Sequence, residues 1–186
     1  MNIKYNKPNV VAEICCNHQG DMEIAKRMIR VAFEAKATVA KFQKRNNKEF
    51  LTEAQYNAPH PNNLHSFGEP YGAHREFLEF SIEQHNDLKL YAESFGIMYS
   101  SSTFDVSSAK EIITLNPEYI KVPSACNNHF AMLRVLRDEY DGGIHISFGM
   151  TTKQEEEEII QFFEETNQAK RLVIYAILLY SFIIYG

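Results

Sequence analysis

Two lysines, Lys41 and Lys121, and one carboxylate, Glu13, stand within or at the end of short apolar runs, where an unpaired charge is costly. A lysine in such surroundings keeps its charge most easily beside an anion. The pair therefore points to a phosphate or carboxylate ligand, unless both simply snorkel at a strand edge. Gln43 follows Lys41 by two residues, so in an extended chain both side chains leave the same face. Ser102, Ser124 and Ser147 place hydroxyls, which suit phosphate oxygens, after comparable runs. Ser100, Ser101 and Thr103 compete with Ser102 for that place, and any one of these hydroxyls could instead make a local turn or cap bond. Glu13 could move a proton, orient a water, or pair with Lys41 as a structural ion pair.

The elements that must position these residues follow a repeating order. Residues 9–15, 38–43, 97–101, 119–123, 143–148 and 171–175 are β-branched or apolar and read as buried strands. Between them, residues 21–36, 81–95, 106–115, 129–139 and 152–167 carry helical signals. Asp21 and Ser81 are candidate caps, Thr152 with Glu155 fits a capping box, and Gly96 suits a helix stop. Five βα units and a sixth strand, with polar residues at the strand ends, predict an α/β fold of the (β/α)8 TIM-barrel type, incomplete. Its site belongs at the C-terminal face. A closed barrel takes roughly 250 residues, and this chain has 186. Residues 44–79, rich in Pro, Gly, Asn and His, predict a long loop with one short helix near Thr52–Tyr56, of the kind that forms lids.

Composition narrows the classes. The chain is 45% hydrophobic and 23% charged, ordinary for a soluble globular domain. A net charge of -5 gives no footing for bulk nucleic-acid binding. No signal-like apolar segment opens the sequence, and Cys15, Cys16 and Cys126 lack metal spacing, so reduced thiols in the cytoplasm and no membrane association are expected. His60, His65, His74 and His85 are irregularly spaced and read as surface or loop histidines. The acidic run Glu155–Glu158 reads as the solvated start of a helix.

Five stretches carry a resemblance. They are Ala12 to His18 (AEICCNH), Lys41 to Gln43 (KFQ), Tyr71 to Arg75 (YGAHR), Lys121 to Asn128 (KVPSACNN) and Ile144 to Met150 (IHISFGM). In this order and spacing, residues 9–175 resemble the sialic acid synthase family. The resemblance implies a TIM barrel followed by an antifreeze-like domain, and homodimers. The activity it implies is condensation of phosphoenolpyruvate with an open-chain N-acetylated amino sugar such as N-acetylmannosamine. Carbon 3 of phosphoenolpyruvate attacks the aldehyde, water adds at carbon 2, and phosphate leaves by C–O cleavage. A divalent cation, Mn2+ or Mg2+, would polarise the aldehyde. By the same resemblance Lys41, Ser102, Lys121, Ser124 and Ser147 contact phosphoenolpyruvate, and Gln43 the sugar. Glu13 and Gln43 are the catalytic candidates. His18 would shape the site, and His74 with Arg75 would belong to a lid that meets the sugar.

Three departures stand out. The family carries Gly where Cys15 stands, and Gly-Ala where Lys36-Ala37 stands. After Tyr175 the family continues into a histidine motif, whereas residues 176–186 form a divergent apolar tail, as a shifted reading frame near codon 175 would produce. The family's metal-ligand histidines and its C-terminal domain are then expected to be missing, with residues 1–175 the N-terminal part of the barrel. Two alternatives follow from that expectation: a non-catalytic truncated fragment, or a partner that completes a barrel with another chain. A third, unrelated reading is a barrel lyase or aldolase using Lys41 or Lys121 as a Schiff-base lysine.

Overall fold

In the computed structural model, which describes residues 8–149 and 151–176, all six apolar runs form strands of one parallel sheet. They are β1 (Val11–Cys15), β2 (Val39–Lys44), β3 (Met98–Thr103), β4 (Tyr119–Val122), β5 (Gly143–Phe148) and β6 (Leu172–Ala176). Each pairs with the next in chain order, which requires a crossover helix between every pair. The helices are α1 (Met22–Glu34), α2 (Asn47–Phe50), α3 (Glu53–Asn57), α4 (Tyr71–Phe77), α5 (Ile82–Ser94), α6 (Val106–Thr114), α7 (Phe130–Glu139) and α8 (Lys153–Glu164). This is an open arc of the TIM-barrel type: among the described residues, β1 pairs only with β2, and β6 only with β5.

Two apolar clusters join the strands to the helices. One gathers Ile14, Ile29, Phe42, Leu88 and Ile97 between β1–β3 and helices α1 and α5. The other gathers Ile112, Ile120, Leu133, Leu136, Ile144, Ile146, Ile159 and Phe163 between β4–β5 and helices α6 to α8. Burying each such side chain is worth about 1.5–3 kcal/mol. With Phe42, Ile120, Ile144 and Ile146 committed to the helix side, strand alternation turns Lys41, Gln43, Lys121 and Ser147 to the opposite, inner face.

The caps form as read. The Asp21 carboxylate accepts from the backbone N–H groups of Glu23 and Ile24, Ser81 and Gln84 close a capping box, and Thr152 with Glu155 closes another. Gly96 follows α5 at φ +72.

The segment 44–79 departs from the single-helix expectation. It holds α2, α3, α4 and a 3-10 turn at Asn63–His65. Its helices are short and are fixed by long-range polar bonds rather than by an apolar stripe. The backbone N–H of Asn46 donates to Asp105 at 2.8 Å, and that of Val106 donates to Glu49 at 2.9 Å. A Cβ at Gly72 would collide with the Tyr56 ring, so glycine there lets α4 close on α3.

Two of the departures lie at strained backbone. Lys36 (φ +64) and Cys15 (φ +52) both occupy the left-handed region that glycine adopts without cost. At Cys15 the β1–β2 register slips: Glu13 lies opposite Lys41, and Cys15 opposite Phe42. The apolar tail beyond residue 176 lies outside the described residues.

Candidate active site

Sheet register brings the site together. Glu13 is opposite Lys41, Gln43 opposite Ser102, Ser102 opposite Lys121, and Lys121 opposite His145. On the inner face a cleft of about 190 Å³ is lined by Val11, Glu13, Lys41, Tyr119, Lys121, Ser147 and Tyr175. Four of the residues singled out in the sequence therefore share one cleft. Gln43 and Ser102 stand beside it in the same register rows. Ser124 lies just past β4, in the 3-10 turn Ser124–Cys126, and not on a strand. The hydroxyls of Ser100 and Ser101 are spent on backbone carbonyls, of Tyr119 at 2.9 Å and of Ser102 at 3.4 Å. Thr103, opposite Lys44, alternates to the other face, and so Ser102 is the inner-face hydroxyl not spent on a carbonyl.

Lys41 is almost wholly buried, and its Nζ sits 2.6 Å from Glu13 Oε1. Glu13 is half exposed, so its carboxylate can leave the ammonium when an anion arrives. Among the described residues Lys121 carries no such partner. Burial, with the neighbouring Lys41 charge, pulls its pKa below the ordinary lysine value, and Glu13 partly opposes this. Two ammoniums, one of them under-neutralised, give the cleft a charge that suits a polyanion. A larger cavity opens among Lys89, Glu93, Asn116, Glu118 and Asp141. It lies at the N-terminal end of the strands, the end that carries stability rather than chemistry in barrels.

Several residues of the site escaped the sequence reading. Tyr119, His145 and Tyr175 lie two positions from Lys121 or Ser147, or opposite Ser147, and period-two counting would have found them. The His145 ring stacks on Tyr119 at 3.9 Å, and its Nδ1 is 2.7 Å from the Tyr175 hydroxyl. Burial, with Lys41, lowers the His145 pKa to about 4, so at neutral pH the imidazole is uncharged, and its tautomer sets which of the two groups donates. The Asn127 side chain donates to the Ser147 carbonyl at 3.0 Å and ties the end of β5 to the turn after β4. Arg45, two beyond Gln43, is buried against Glu79 of the 44–79 segment, its Nη1 2.9 Å from Oε1. No local pattern links residues so far apart in sequence.

Two of the four histidines read as surface or loop groups are instead buried. His85 is fully buried on α5, with Nδ1 2.7 Å from the Tyr99 hydroxyl, because its helix face packs on β3. His74 accepts the Phe67 N–H at 3.1 Å, packs against Tyr71 and His60, and is 8% exposed. His18 is buried too and stacks on Phe80 at 4.1 Å, near Phe42 of the helix-side cluster and not in the cleft. Among the described residues, no group of three or more His, Cys, Asp or Glu side chains could hold a metal ion. Glu13, the carboxylate of the cleft, is already engaged by Lys41. The described residues thus do not fit a divalent cation. Nor, among them, is any helix long and apolar enough to cross a membrane.

A family model described as the NeuB family matches residues 28–182. The chain belongs to the NeuB family. It is 40% identical over 124 residues to N-acetylneuraminate-9-phosphate synthase of Homo sapiens, covering 67% of this chain and 34% of that protein. With the Drosophila melanogaster enzyme of the same name it shares 33% over 159 residues, 86% of this chain and 42% of that protein. This NeuB-family chain thus spans less than half the length of these curated relatives. Its fold matches an N-acetylneuraminic acid (sialic acid) synthetase from Leptospira borgpetersenii serovar Hardjo-bovis, solved in complex with citrate. The TM-score is 0.74 at 24% identity, over 91% of this chain and 53% of that one.

Proposed function

We propose that this chain carries the phosphoenolpyruvate-binding half of a nonulosonate synthase, which joins phosphoenolpyruvate to an N-acetylated amino sugar and releases phosphate. The observation that supports it is the convergence of Lys41 and Lys121 on one inner-face cleft in a NeuB-family sheet. Phosphoenolpyruvate carries a phosphate and a carboxylate, and two ammoniums match that charge distribution. Ser147, Ser102 and Ser124 supply hydroxyl donors to the remaining oxygens. In the reaction, a bond forms between carbon 3 of phosphoenolpyruvate and the aldehyde carbon, whose oxygen gains a proton. A water oxygen adds at carbon 2, and the carbon–oxygen bond to phosphate breaks. Gln43 contacts the sugar, and Glu13, once displaced from Lys41, holds the attacking water and takes its proton. Divalent metal ions serve the family as the resemblance implies. Their ligands would come from outside the described residues.

Isothermal titration of phosphoenolpyruvate into the chain, beside Lys41→Met and Lys121→Met, tests this reading. Saturable binding lost in both variants supports it, and equal binding in all three removes it.

A second reading rests on the open edges. Val173, Ile174 and Tyr175 on β6 and Val10 beside β1 are exposed, as on a sheet that pairs with another chain. In that case the chain completes a barrel supplied in trans. Sedimentation at several concentrations separates the two readings, because a monomer carrying the phosphoenolpyruvate site excludes the second as a requirement for binding.

A further inference from the structure

We infer that Arg45 and Glu79 are positioning residues for Gln43: they hold its amide oxygen away from substrate, so that its NH2 group is the end offered beside the cleft. The inference rests on the proposed role of Gln43 at the sugar, and it names the chemistry that Gln43 recognises.

Arg45 lies at the end of β2, two residues beyond Gln43 and buried to 7% exposure, in an ion pair whose partner, Glu79, is 10% exposed. Its Nη1 donates to Glu79 Oε1 at 2.9 Å and to Cys16 Sγ at 3.3 Å, and its backbone N–H donates to Glu79 Oε2 at 3.0 Å. Its Nη2 donates to Gln43 Oε1. One face of the guanidinium lies on the Phe104 ring, 4.2 Å from the centroid. Both Nη groups are engaged and one face is covered, so the guanidinium is held in place. It acts through what it holds.

What it holds is one end of an amide. Gln43 Oε1 accepts from Arg45 and lies 3.5 Å from the Cys16 thiol, so the oxygen faces two donors. An Nε2 in that place would set donor against donor, so the amide has one orientation. The other end is then the NH2, on a residue opposite Ser102 and two positions from Lys41 along β2. A pure donor there recognises an acceptor oxygen, such as an aldehyde, amide or hydroxyl oxygen of an amino sugar. It does not recognise a ligand N–H. Glu79 enters from the segment before α5, so this segment reaches the chemistry through Arg45 and not by direct contact.

The test is the Gln43 side-chain NH2 signal in nitrogen-15 spectra of the whole chain, in the parent, Arg45→Lys and Glu79→Gln. A lysine cannot fork to both partners, and a neutral glutamine cannot fix the guanidinium. The expected result is a resolved Gln43 pair in the parent that moves toward the exposed Gln161 signal in both variants, while apolar core signals stay in place. An unchanged Gln43 pair in a folded Glu79→Gln chain overturns the inference. If neither variant folds, the parent decides: amide rotation at Gln43 should be slower than at Gln161, and equal rates overturn it. Adding N-acetylmannosamine and phosphoenolpyruvate separately gives the functional readout. Sugar affinity should fall by roughly 10-fold or more in both variants, as for a misplaced positioning group, with phosphoenolpyruvate affinity within about twofold. Equal loss for both ligands means a merely structural role. Absence of phosphoenolpyruvate binding in the parent removes the proposed function and leaves the amide orientation to stand or fall on the spectra.

Discussion

Glu13 Oε1 lies 2.6 Å from Lys41 Nζ, so the carboxylate sits where an anionic ligand must bind. Glu13 is a competitor for the lysine as well as a candidate base. Glu13→Gln should strengthen phosphoenolpyruvate binding by up to roughly fivefold, the scale of a half-exposed charge pair. Calorimetry checks this. Weaker binding in the variant would mean that the carboxylate helps to hold the ligand.

Backbone strain gives a second prediction. Lys36 at φ +64 ends α1 in the left-handed region. Lys36→Gly should raise stability by about 1 kcal/mol, because the native conformation costs glycine nothing. A urea melt reads this directly, and a destabilised variant would show that the Lys36 side chain, 5.8 Å above the Phe33 ring, outweighs the strain.

Acid sensitivity follows from two buried histidines. Burial lowers His85 to about 3 and His18 to about 4, from an ordinary 6.5. Between those values and 6.5 the unfolded chain binds more protons than the native one, so stability rises with pH across that window. On acidification it is fully present above about pH 6.5 and is lost as pH falls toward the native values. The slope approaches about 1.4 kcal/mol per pH unit for each histidine. Urea midpoints from pH 7 to pH 4 should fall in the parent and fall less steeply in His85→Gln. Parallel slopes would contradict the burial of that ring.

Arg171 is the brace at the other end of the sheet. It donates to the carbonyls of Tyr140, Gly142 (3.2 Å) and Arg137 (2.6 Å), and to Gln168 Oε1 at 2.8 Å. Arg171→Met should cost about 2–3 kcal/mol, because it strips charged donors from several carbonyls at once. Urea denaturation measures it, and a loss below about 0.5 kcal/mol would show that water replaces the guanidinium at no cost.

The strands and their order were legible because parallel strands buried on both faces read as unbroken apolar runs. Lys41, Lys121, Glu13 and Ser147 were legible because a polar residue in such a run must answer to something. The helices α2 and α4 were not, since elements of 4 and 7 residues carry no periodic stripe. The Arg45–Glu79 pair was hidden for a different reason: its partners meet only after the segment between them folds back. His85 was misread because α5 has a mixed face, and sequence alone does not say which side of it meets β3.

The most direct measurement follows the Nζ signals of Lys41 and Lys121 in a lysine-labelled chain while phosphoenolpyruvate is added. Binding in this cleft requires both signals to move together and saturate, and it should weaken as pH rises through the lowered Lys121 pKa, earlier than for an ordinary lysine. If phosphoenolpyruvate moves neither signal, or binds while both stay still, the cleft is not its site.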